Sequence, residues 1–79
     1  MDYDTDKVDN ATRALMALGV CEREEGYGGR AWKGFDWKTL DRLHEKGCLG
    51  NPKGKARSVV MTEDGYQKSQ ELFEKLFRS

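Results

Sequence analysis

A chain of 79 residues makes one domain, spanning 1–79, whose single small core hides about 60–65% of the surface its unfolded form exposes. With 37% hydrophobic and 35% charged residues it lies on the polar side of globular, yet two Trp, three Phe and three Tyr supply enough apolar bulk to fold, and a large cofactor cavity is excluded. The net charge of zero hides a division: residues 1–25 carry seven acids against three bases, residues 46–58 four bases and no acid, so an anionic partner is drawn to one end only.

Residues 1–5 read as a frayed start. From about residue 6, Val8, Ala11, Leu15 and Leu18 recur at helical spacing, with Ala14 and Met16 beside them, and predict a helix over 6–18 that stops at Gly19. Its aspartates crowd the positive end of the helix dipole. Residues 22–34, with Gly26, Gly28 and Gly29 among charges, predict a mobile loop, because glycine costs about 1 kcal/mol in a helix interior relative to alanine. Trp32 and Phe35 then return the chain to the core, Phe35 standing where a hydrophobic staple packs on Leu40.

Local signals agree best over residues 36–47. Asp36 is a good N-cap, Gly47 a good terminator, and Trp37, Leu40 and Leu43 form one buried face of a helix over 37–46. The other face carries Lys38, Asp41, Arg42, Glu45 and Lys46, spaced for the pairs Lys38 with Asp41 and Arg42 with Glu45. Beyond Gly47 the period drops to two. Strands over 48–50 and 58–61 flank turn residues and cations in 51–57, which predicts a β-hairpin over 48–61 with Val59 and Met61 inward and Val60 outward. Thr62 caps a last helix over 63–78, acidic at its start and basic towards its end. Its stripe of Tyr66, Leu72, Phe73, Leu76 and Phe77 is wide for so small a protein and predicts a homodimer interface.

This order of elements, with Leu40, Leu43, Gly47 and Leu49 followed by Met61, Thr62 and Gly65, resembles the winged helix-turn-helix domains of bacterial regulators. The resemblance implies an α+β fold in which the helix over 37–46 reads DNA and the hairpin is the wing. Residues 30–37, Arg-Ala-Trp-Lys-Gly-Phe-Asp-Trp, with residues 40–47, Leu-Asp-Arg-Leu-His-Glu-Lys-Gly, are similar more specifically to a family of small uncharacterised bacterial proteins, and that likeness implies no activity. The chain departs from the regulators at residues 22–35, where they hold a further helix.

Two functions follow. In the first, a DNA-binding regulator, Lys38, Thr39, Arg42 and Lys46 face double-stranded DNA from the helix while Lys53, Lys55 and Arg57 neutralise phosphates. In the second, the domain docks on a protein partner and inhibits a larger complex, such as a nucleic-acid-processing or phage-defence complex in the manner of an anti-CRISPR protein, the acids of residues 2–9 and 22–25 mimicking nucleic acid. Asp41 and Glu45 on the reading helix, with the overall neutrality, stand against the first, and the basic tip stands for it.

No metal is expected: His44, Cys48 and Cys21 form no Cys-x-x-Cys pair and fall short of the four ligands of a structural zinc. No cofactor or catalysis is expected either, since nucleophile and phosphate-loop motifs are missing and the domain is too small for a deep pocket. Nothing approaches the roughly 18 apolar residues of a membrane span, and the acidic start lacks a signal-peptide layout, which predicts a cytoplasmic protein that avoids membranes, with both cysteines free.

Overall fold

Asp4 opens the first helix, because its carboxylate accepts from the backbone N–H groups of Asp6 (3.0 Å) and Lys7 (3.2 Å) at the positive end of the dipole. The computed structural model describes residues 3–78, so Met1 and Asp2 of the expected frayed start lie outside the described residues, while Thr5 is already helical. Helix α1 spans Thr5–Met16 and tightens into a 3₁₀ turn over Ala17–Gly19. Its buried face is rotated from the expected one. Asp9, Thr12, Ala14 and Met16 are buried, whereas Leu15 is 43% and Leu18 72% exposed. Asp9 turns inward because two cations of the second helix await it there.

The expected loop over 22–34 is instead mostly a β-hairpin, β1 (Val20–Glu24) and β2 (Gly28–Trp32), paired antiparallel. Gly28 explains the misreading. It takes φ +91°, and a Cβ there would overlap the Met61 carbonyl oxygen, so only glycine lets β2 lie between two neighbours. Strand β3 (Ser58–Met61) pairs antiparallel with the far side of β2, which gives the order β1-β2-β3. Alternation then places Ala31, Val59 and Met61 in the core, and Arg30 opposite Val60 on an open face. Strand β1 forms one border of the sheet, with Glu22, Arg23 and Glu24 exposed.

Helix α2 (Trp37–Glu45) follows its signals: the Asp36 carboxylate accepts from the Thr39 N–H at 3.1 Å, Gly47 takes φ +79°, and Leu40 and Leu43 are fully buried. Each such leucine contributes about 2 kcal/mol of burial. The tryptophans depart from expectation. Trp32 follows inward-facing Ala31 on β2 and so faces the open side of the sheet, 55% exposed, and Trp37, in the first turn of α2, is 54% exposed. Phe35 does pack against the core formed by Met16, Ala31, Leu40, Leu43, Cys48, Leu49, Val59 and Met61.

The expected hairpin over 48–61 keeps only its second strand. The 48–50 arm is reduced to a bridge between Leu49 and Met61, flanked by Gly50 N–H to Val60 O (2.8 Å) and Thr62 N–H to Cys48 O (3.0 Å), because the long ladder of β3 goes to β2. Val59 and Met61 point inward and Val60 outward, as their alternation requires. The Thr62 hydroxyl accepts from Gly65 N–H at 3.0 Å and starts α3 (Glu63–Phe77), which packs along α1. Three helices and a three-stranded antiparallel sheet make a small α+β fold compatible with a winged-helix-like one, with a β-hairpin where the regulators place a helix. Among the described residues no helix is long and apolar enough to cross a membrane.

Candidate functional site

The cationic loop over 51–57 is shaped from within and clasped from outside. Asn51 and Pro52 begin it as turn residues, the Asn51 side-chain oxygen accepting the Lys53 N–H at 2.9 Å. Lys33, just past the end of β2, holds both ends. Its N–H donates to Arg57 O at 3.1 Å, and its ammonium donates to Pro52 O at 2.7 Å and Gly54 O at 3.1 Å. The loop therefore presents Lys53, Lys55 and Arg57 to solvent on a fastened backbone. Among the described residues none of these three, nor Lys38 at the start of α2, forms an ion pair.

The two exposed indoles flank this loop. Trp32 is paired across the sheet with Ser58, where the loop re-enters β3. Its ring lies on Gly34, where a Cβ would overlap it, and meets Phe35 edge-on at 5.8 Å and 62°. Trp37 stands at the other end, its ring centroid 5.6 Å from the Lys33 ammonium that Pro52 and Gly54 hold. Arg30 adds a further cation on the open face of the sheet, fixed by Nε to Ser58 Oγ (2.8 Å) and by its terminal nitrogen to Ser58 O (3.0 Å).

Of the helical half of the expected DNA-facing set, Thr39, Arg42 and Lys46 are engaged within the molecule, while Lys38 is left to solvent. Thr39 is 1% exposed, its hydroxyl 3.1 Å from both Asp36 Oδ2 and the Arg42 guanidinium. Arg42 and Lys46 do not pair within their helix. They converge on fully buried Asp9, Arg42 Nε at 2.9 Å and Lys46 Nζ at 2.7 Å. Burial alone raises the Asp9 pKa, but these bonds outweigh it and hold the carboxyl below its ordinary value, while the same bonds raise Arg42 and Lys46. Asp41, His44 and Glu45 line a shallow cleft with Asn51 and Lys53, so acid borders the loop on that side.

The expected dimer residues separate. Leu72 is in the interior at 6% exposure, Tyr66 lies under the Arg23 guanidinium at 3.8 Å, and Phe73 meets Phe77 in a tilted ring contact at 5.5 Å. Leu76 and Phe77 remain 49% exposed. Arg23 also forks onto Glu63, at 2.7 and 3.1 Å, and Glu63 accepts from Gly28 N–H (2.9 Å) and Gln67 (2.8 Å), which ties the β1-β2 hairpin to α3. The Arg23 bond is the main reason the Glu63 pKa falls from 4.5 to about 2.

Among the described residues no three His, Cys, Asp or Glu side chains are placed to share a metal ion; His44 Nδ1 lies 2.9 Å from Leu49 O, and Cys48 is buried while Cys21 is exposed. Sequence reasoning missed Lys33 and Asp9. Asp9, Thr12 and Met16 do recur at helical spacing, a signal masked by the stronger apolar stripe beside it.

A relative from Sinorhizobium fredii (strain NBRC 101917 / NGR234), "Uncharacterized protein y4hR", is 46% identical over 77 residues, covering 98% of this chain and 97% of its own. No solved structure matches. Residues 4–79 match the family model described as "Domain of unknown function (DUF6429)", and with a relative this similar along nearly its whole length, the chain belongs to that family.

Proposed function

We propose that this protein binds nucleic acid, DNA in the first instance, through the loop over 51–57. One observation carries the reading: Lys53, Lys55 and Arg57 stand exposed without a carboxylate partner among the described residues, on a backbone that Lys33 fastens at three carbonyls. Cations held in place without counter-charge are what a phosphate backbone rewards, since binding releases its condensed counterions. Lys38 extends the surface, whereas Arg42 and Lys46 serve α1 through Asp9 and contribute field rather than contact. A transcriptional role remains the natural context for such a domain.

Anisotropy of labelled DNA, titrated at low and moderate salt, tests this. Binding weakens steeply with salt, and the combined Lys53→Ala, Lys55→Ala and Arg57→Ala variant flattens the slope by about two to three units. An unchanged slope in the variant, or no binding of the native protein at low salt, overturns the reading.

A second reading, docking of a second copy of this chain, is favoured by Leu76 and Phe77 at the end of α3, each 49% exposed. Light scattering on the native protein and on Phe77→Glu tests it: a dimer converts to a monomer, and a monomeric parent refutes it.

A further inference from the structure

We infer that the nucleic acid taken by this site is single-stranded, with unpaired bases stacking on Trp32 and Trp37 while the loop between them holds phosphates; the inference rests on the nucleic-acid reading above and names its substrate class. A water-exposed indole normally sacrifices burial for nothing, and this chain exposes both of its tryptophans. Trp32 is seated on Gly34 and braced by Phe35, which holds its ring in position before any ligand arrives, and Trp37 faces the Lys33 ammonium at 5.6 Å.

Their placement matches the alternation of a single strand. Trp32 flanks the returning end of the loop at Ser58, Trp37 flanks Lys33 near Pro52 and Gly54, and Lys53, Lys55 and Arg57 lie on the segment between. Bases present flat π faces to indoles and phosphates present charge to lysine and arginine, which is how sequence-tolerant single-strand sites are built. A duplex keeps its bases stacked inside and offers indoles nothing but its ends. Acids border the surface, Glu22 and Glu24 beyond Arg30 on the open sheet and Asp41 and Glu45 beyond Lys53, which confines a strand to the tract from Trp37 across the loop to Trp32 and Arg30. A protein partner would need to be acidic to meet the same cations.

The test uses intrinsic tryptophan emission, which reports on this surface alone because the chain has no other indole. An oligothymidylate and a duplex of equal length are titrated into the native protein at low salt. The expected result is quenching by the single strand with about tenfold tighter binding than the duplex, and Trp32→Ala and Trp37→Ala each weakening single-strand binding about tenfold while duplex binding stays within about twofold. Trp32→Phe and Trp37→Phe, which keep a stacking ring, retain most of the affinity, and they decide the matter where an alanine variant fails to fold by circular dichroism. Salt-dependent binding with equal affinity for both forms and unaltered emission overturns the single-strand inference and leaves the nucleic-acid reading standing. No binding of either form at low salt removes both.

Discussion

The Arg42 guanidinium on α2 forks onto the Asp9 carboxylate on α1, Nε at 2.9 Å and a terminal nitrogen at 2.8 Å from Oδ1, with the carboxylate fully buried and the cation still partly in water. That asymmetry sets the consequences of cutting the pair. Arg42→Met strands a buried carboxylate with Lys46 alone and costs about 3 kcal/mol, whereas Asp9→Asn frees two cations that can turn to solvent and costs about 1–2 kcal/mol. Urea midpoints at unchanged slope measure both. Equal or inverted losses would show that desolvation of Asp9 is not the controlling quantity.

Acid should loosen the molecule over a defined window. Glu63 drops from 4.5 to about 2 in the folded protein, and Asp9 is also lowered, so the unfolded chain binds these protons first. Their contributions are complete above the ordinary carboxylate range and are lost as pH falls through the folded values, for Glu63 between 4.5 and about 2. Thermal melting followed down through that interval declines for the native protein and declines less for Glu63→Gln, which has no proton to take up at that site.

Glycines in this chain differ sharply in what they permit. Gly28→Ala puts a methyl group into the Met61 carbonyl at a positive φ, and the loss is about 3 kcal/mol or more. Gly54→Ala, in the cationic loop, meets open space and stays within about 0.5 kcal/mol of the native protein. Comparable losses at the two positions in denaturant melts would contradict the close approach of β2 to β3.

Lys33→Met removes the ammonium that Pro52 and Gly54 share while keeping the stem. Amide exchange over residues 53–57 should accelerate while that of the core strands stays put, because a locally opened loop does not require global unfolding. Single-strand affinity falls with it, since the loop then has to be ordered on binding.

Helix ends were the most legible feature in the sequence, because a cap acts on backbone groups within a few residues: Asp36, Gly47 and Thr62 stand where they were expected to act. The β1-β2 hairpin was not legible, since the property that makes β2 a central strand, the lack of a Cβ at Gly28, is read locally as looseness. The site shows the same division. Lys53, Lys55 and Arg57 announce themselves as charge in a turn, but Arg42 and Lys46 look identical to them until Asp9, more than 30 residues away, is brought underneath. Position beside a helix cap, and for Trp37 its spacing to Leu40 and Leu43, points both tryptophans to the core; strand alternation from Ala31 turns the first outward, and the Lys33 ammonium faces the second.

The charged border strand β1 also governs how these molecules behave when crowded. Among the described residues no strand lies beyond its outer edge, whose backbone groups are a template on which the same edge of a second chain could pair. Antiparallel pairing of two such edges about Arg23 would set Arg23 against Arg23 and Glu22 against Glu24. Like charges directly opposite destabilise a strand pair. Three consecutive charged residues thus oppose the edge-to-edge pairing of two copies in that register, a closed two-fold contact that would join two sheets at β1.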